Sequence, residues 1–76
     1  MKIKLVATFT ESPSFNVRIL YEGSTIFYNS TRLEGNERLK KVGKILNIHS
    51  LMVGEYEYEI TQTQYNQIRE ADKHDL

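Results

Sequence analysis

Two stretches of alternation open the chain and set most of what it can fold into. Over residues 1–10, Ile3, Leu5, Ala7 and Phe9 share one parity, while Lys2, Lys4, Thr8 and Thr10 share the other, with Val6 as the exception. Residues 15–21 repeat the pattern, Phe15, Val17, Ile19 and Tyr21 against Asn16, Arg18 and Leu20. Period two with β-branched and aromatic residues marks a half-buried strand. The only proline, Pro13, lies between the two runs in Glu11-Ser12-Pro13-Ser14, where a missing N–H does no harm. The two strands are therefore expected to form a hairpin.

Glu22-Gly23-Ser24 is a second turn, and Thr25-Ile26-Phe27-Tyr28 reads as a short third strand. Residues 29–36 admit two readings. Thr31 through Glu34 has capping-box spacing, which starts a helix at Thr31; Gly35 and Asn36 favour a turn and a later start with Asn36 as N-cap. Either way residues 37–46 are helical in pattern, because Leu39, Val42, Ile45 and Leu46 fall within one arc. Residues 50–60 give the last strand, with Met52, Tyr56, Tyr58 and Ile60 on one parity and Glu55, Glu57 and Glu59 on the other; Gly54 suggests a bulge or a close backbone approach. Thr61-Gln62-Thr63-Gln64 is a capping box opening a helix with Tyr65 and Ile68 inward. The tail from Ala71 to Leu76 is polar and is expected to fray.

The order β-β-β-α-β-α predicts a small α+β domain. A helix between the third and fourth strands suggests a parallel crossover, hence a mixed four-stranded sheet. Lys2 and Lys4 on the first strand complement Glu55, Glu57 and Glu59 on the fourth, which places the fourth beside the first in the order 3-2-1-4. Both helices are expected on the face lined by Ile3, Leu5, Phe9, Val17, Ile19, Tyr56, Tyr58 and Ile60. A leading hairpin, a helix and a strand returning beside the first resembles a β-grasp-type domain at the level of fold. No functional residue carries over from that resemblance.

At 76 residues the chain is read as a single domain, 1–76, able to bury about 60% of its surface around one thin core. Ten Lys and Arg balance ten Asp and Glu, which argues against a polyanion binder driven by net charge. The absence of cysteine removes a disulfide framework and thiolate metal sites. No apolar run approaches a membrane span and no signal peptide is read, so a cytoplasmic protein is expected. That setting also makes the Asn29-Ser30-Thr31 glycosylation triplet a coincidence of spelling.

The histidines, acidic residues and glycines offer little chemistry. His74 lies in the tail, and His49 sits beside Ser50 after the first helix, where a histidine complements the helix dipole. Glu55, Glu57 and Glu59 are spaced about 6–7 Å along a strand, too far apart for one metal ion. The four glycines form no phosphate-cradling loop. No catalytic residue, metal or cofactor is therefore expected, and the protein is read as a non-enzyme.

Two surfaces remain. Val6, Leu20, Leu51 and Val53 fall on the nominally polar side of the sheet, next to Arg18 and Tyr28. These six residues form the candidate partner-binding surface. Arg38, Lys40, Lys41 and Lys44 put four positive charges in seven residues and form the candidate nucleic-acid surface. The first expectation is a small protein–protein interaction domain, an adaptor or inhibitor of a larger protein such as mobile elements and bacteriophage carry. Self-association to a dimer would run through the sheet face or the edge of the third strand. The alternative is a nucleic-acid-binding accessory protein using the helix at 38–44. A third reading, more distant, places a site across a subunit interface.

Overall fold

A computed structural model of the chain describes residues 1–9, 14–32, 37–48 and 52–72. The elements are β1 (Lys2–Phe9), β2 (Ser14–Tyr21), β3 (Ser24–Arg32), α1 (Glu37–Leu46), β4 (Gly54–Glu59) and α2 (Gln62–Asp72). They form a four-stranded sheet in the order β3-β2-β1-β4, with the helices packed on one face.

The hairpin β1–β2 pairs Ala7 with Val17 and Leu5 with Ile19, so its apolar parities face the same way. The next turn is tighter than its sequence suggests. Tyr21 pairs with Ser24, leaving two residues between strands, and both Glu22 (φ 51) and Gly23 (φ 83) have positive φ. Such a backbone matches the twist of the flanking strands, but only the glycine adopts it freely.

β3 is longer than the four residues expected. It runs to Arg32, so the helix start at Thr31 is incorrect. A register shift falls between Ile19, which faces Phe27, and Leu20, which faces Thr25. The extra residue is Ile26. A bulge of this kind turns two successive side chains toward one face, and both Ile26 and Phe27 are buried in the core. Simple alternation would have sent one of them to solvent.

The main correction concerns β4. Its place beside β1 is as expected, but it runs antiparallel to β1, pairing Lys2 with Glu59, Lys4 with Glu57 and Ala7 with Gly54. The sheet is antiparallel throughout, not mixed, and the β-grasp resemblance, which needed the last strand parallel to the first, does not hold. Charge complementarity is met in either direction and so could not choose. The crossover rule assumes that a helix alone carries the chain back. Here β4 begins instead at the end of β1 where Ala7 meets Gly54.

α1 ends at Leu46 by a left-handed residue, Asn47 (φ 59). Ile48 N donates to Gly43 O at 2.8 Å and Asn47 N to Lys44 O at 3.3 Å, the paired bonds of a Schellman cap. α2 starts with the expected capping box in both directions: Thr61 N donates to Gln64 Oε1 at 2.8 Å, and Gln64 N to Thr61 Oγ1 at 3.1 Å. The helices run antiparallel, since Gln64 Nε2 reaches Ile45 O near one end and Arg38 reaches Ala71 O at the other.

The core joins Ile3, Leu5, Ala7, Val17, Ile19, Ile26, Phe27 and Ile60 from the strand side to Val42, Ile68 and Ala71 from the helices, with Tyr56 and Tyr58 half-buried against it. The Phe9 side chain and residues 73–76 lie outside what the structure describes. Ala71 and Asp72 are not frayed: α2 continues through both, and Ala71 is buried. No helix of the described residues is long and apolar enough to cross a membrane.

Candidate interaction surface

The face of the sheet away from the helices is uncovered by any described residue. Cross-strand pairing brings its side chains into rows. Tyr28 pairs with Arg18, Arg18 with Val6, and Val6 with Glu55, giving one row across all four strands. The Arg18 guanidinium lies 5.2 Å from the centroid of the Tyr28 ring, a cation–π contact that holds the ring down on the sheet. Two residues along β2, Leu20 pairs with Lys4, which in turn faces Glu57.

Val6 and Leu20 are half-buried, whereas Tyr28 (41%) and Val53 (51%) are exposed. Four of the six expected partner-surface residues, Val6, Arg18, Leu20 and Tyr28, thus stand together. Val53 immediately precedes β4 at the Ala7 end of the face, next to Met52, which is more exposed still at 73%. The strand starts at Gly54 and not at residue 50, so Met52 lies before it and does not join Tyr56, Tyr58 and Ile60 on the inward side as expected. Leu51 lies outside the described residues.

The charged columns flank this patch. Lys4 Nζ is 3.6 Å from Glu55. The terminal amine of Met1 sits 2.8 Å from Glu59 Oε2, and its hydrogen bond and charge, aided by Lys2, hold the Glu59 carboxyl below the ordinary glutamate range. The three glutamates alternate with Tyr56 and Tyr58 along β4. Among the described residues no group of acidic or histidine side chains could hold a metal ion. His49 and His74 lie outside them.

The basic helix does not form one surface. Arg38 is withdrawn into the junction of α1, α2 and β3. Its Nη1 donates to Asn29 Oδ1 at 3.0 Å, its Nε to Ala71 O at 3.2 Å, and its Nη2 to Tyr28 O, Asp72 O and Asp72 Oδ1 at 3.2, 3.0 and 3.2 Å. The guanidinium also sits 5.3 Å from the Phe27 ring centroid. With its donors committed, Arg38 is a structural clamp, contrary to the expectation that it joins a phosphate-facing stripe. Lys40 lies 3.7 Å from Glu37. Lys41 and Lys44 line a groove between the helices, but Glu37 and Glu70 line it too, so the positive charge is interrupted.

Asn29 is buried, its Oδ1 held by Arg38, which closes it to glycosylation. The sequence signal for this cluster was slight. Arg38 reads as one more charge on a solvated helix, and its partners come from residues 28–29 and 71–72.

The two edges of the sheet differ. At β3, the outward-facing N–H of Tyr28 donates to Asp72 Oδ1 at 3.0 Å and its C=O accepts from Arg38. Edge pairing at β3, one expected route to a dimer, is therefore closed at its middle. At β4, Ile60 N donates to Met1 O and the Met1 amine to Ile60 O, both at 2.8 Å. Antiparallel pairing alternates from that pair, so Tyr58, Tyr56 and Gly54 turn their backbone groups to β1, and Glu55, Glu57 and Glu59 turn theirs outward.

No family model, curated protein or solved structure matches this chain.

Proposed function

We propose that this protein is a non-enzymatic interaction domain that docks on another protein through the uncovered sheet face. The observation that carries the reading is the row Tyr28–Arg18–Val6 with Leu20 beside it. It is an aromatic and aliphatic patch on a rigid sheet, rimmed by Lys4 and Glu55. Half-buried apolar side chains inside a charged rim are the usual make-up of a docking patch. Tyrosine and arginine are the residue types that most often dominate binding energy. The withdrawal of Arg38 and the acidic groups beside Lys41 and Lys44 weigh against the nucleic-acid alternative.

The test pairs two variants. Leu20→Glu and Arg18→Glu place wrong charge in the patch without touching the core. Quantitative capture of a partner protein should fall at least tenfold in both, with an unchanged melting temperature. Lys41→Glu with Lys44→Glu should leave capture intact. Retained capture by the Leu20 and Arg18 variants rejects the surface, and salt-sensitive retention on nucleic acid that the lysine pair abolishes supports the alternative.

A further inference from the structure

The two edges of this sheet carry opposite instructions, and the open one specifies its occupant. We infer that the outer edge of β4 accepts an extended segment of another protein that carries lysine or arginine at alternate positions and apolar residues between them. This rests on reading the protein as an interaction domain and adds the chemistry of what it binds.

The backbone supplies the first argument. Glu55, Glu57 and Glu59 point their N–H and C=O groups away from β1, and no described residue takes them up. An extended chain laid along this edge would form a regular ladder of main-chain hydrogen bonds. The three residues repeat every second position, about 6.8 Å apart, which is the repeat of any incoming strand.

Side chains supply the second. On the open face the columns alternate in charge: Lys2 and Lys4 on β1, then Glu55, Glu57 and Glu59 on β4. A fifth strand would place its own column about 4.8 Å from the glutamates and about 10 Å from the lysines. The nearer charges dominate, so a basic column continues the pattern. Lys4 is already near Glu55, and the Met1 amine near Glu59. Glu57 has no ion pair among the described residues and lies at the centre of the edge. On the opposite face the neighbours are Tyr56 and Tyr58, half-buried rings against which an apolar column would pack.

A second copy of the chain is a poor occupant. Two β4 edges paired antiparallel would set glutamate against glutamate, which opposes pairing. The β3 edge of a second copy is blocked at Tyr28 by Asp72 and Arg38.

The probe is a blocked eight-residue peptide of alternating lysine and valine, titrated into the uniformly ¹⁵N-labelled protein. Binding should slow hydrogen exchange of the Glu55, Glu57 and Glu59 amides and leave the Tyr28 amide unchanged. Replacing lysine by threonine in the peptide, or introducing Glu55→Gln with Glu57→Gln in the protein, should weaken binding about tenfold, the sum expected of several exposed ion pairs. N-methylation of alternate peptide residues should abolish it. Three outcomes overturn the inference: no exchange protection at the three glutamates, protection that is the same with the threonine peptide, or protection that appears with protein concentration alone, which would identify a second copy as the occupant. The first two leave the open-face reading standing where Leu20→Glu and Arg18→Glu still abolish partner capture. Loss of capture sensitivity at Leu20 and Arg18 with retained β4 protection separates the failures the other way.

Discussion

Asp72 accepts the outward-facing N–H of Tyr28 at 3.0 Å, across 44 residues of chain, and so ties the last residue of α2 to the edge of β3. The same carboxylate lies 3.2 Å from Arg38 Nη2. One ion pair therefore closes a sheet edge, holds the first turn of α1, and satisfies carbonyls at the end of α2 that the helix itself leaves unpaired.

Removing the guanidinium should be costly. Arg38→Ala leaves Asn29 Oδ1 without its partner inside the core and exposes the α2 terminus. A loss of about 2–4 kcal/mol is expected, a large share of the stability of a domain this size. Arg38→Lys keeps the charge but not the planar fork and should lose about 1–2 kcal/mol. Urea unfolding followed by circular dichroism checks both; an alanine variant as stable as the parent would show that the clamp contributes nothing.

Asp72→Ala should act differently. It costs about 1 kcal/mol, or about 4–8 °C in melting temperature, and frees the Tyr28 N–H. Analytical ultracentrifugation should then detect concentration-dependent association absent from the parent protein.

The hairpin turn offers a gain. Glu22 has φ 51, a conformation that suits asparagine and glycine better than glutamate. Glu22→Asn should raise stability by about 0.5–1 kcal/mol. The charge of Glu22 is also the main reason that the neighbouring Tyr21 phenol ionises above its ordinary value of 10.0. The same substitution should bring the Tyr21 titration back toward that value, read by ultraviolet absorbance.

Much of this was legible in the chain. The parities of β1 and β2, the extent of α1 and the capping box at Thr61 and Gln64 follow from local patterns, and each local pattern agrees with its tertiary setting. The misses share a cause. The bulge at Ile26, the direction of β4 and the burial of Ala71 depend on what the chain meets far along its length. In the candidate surface, period two brings Val6, Arg18 and Leu20 to one face, but only the register shift sets Tyr28 level with Arg18. The Arg38 clamp has no local signature at all.

Core register is tested at the centre of β2. Val17 is fully buried opposite Ala7. Val17→Asp puts an unpaired carboxylate there and should abolish the cooperative unfolding transition. A melting curve like that of the parent would contradict the register.

The Glu59 carboxyl is held below the ordinary value of 4.5 by its hydrogen bond to the Met1 amine and by that positive charge. A depressed folded-state value contributes stability that is present above pH 4.5 and is lost as the pH falls through the folded-state value. The difference in urea midpoint between the parent and Glu59→Gln should therefore be present at pH 7 and vanish in acid. Carbon-13 titration of the Glu59 carboxyl reads the shift itself.

The β3 edge is closed at Tyr28 by Asp72 and Arg38, whereas no described residue takes up the outward backbone groups of Glu55, Glu57 and Glu59 on β4. The two edges are therefore not interchangeable: a strand entering at the middle of β3 would first have to displace the protein's own arginine and aspartate, and one entering at β4 would not. Edge-to-edge joining of copies is thus opposed on the β3 side by that contact and on the β4 side by facing glutamates.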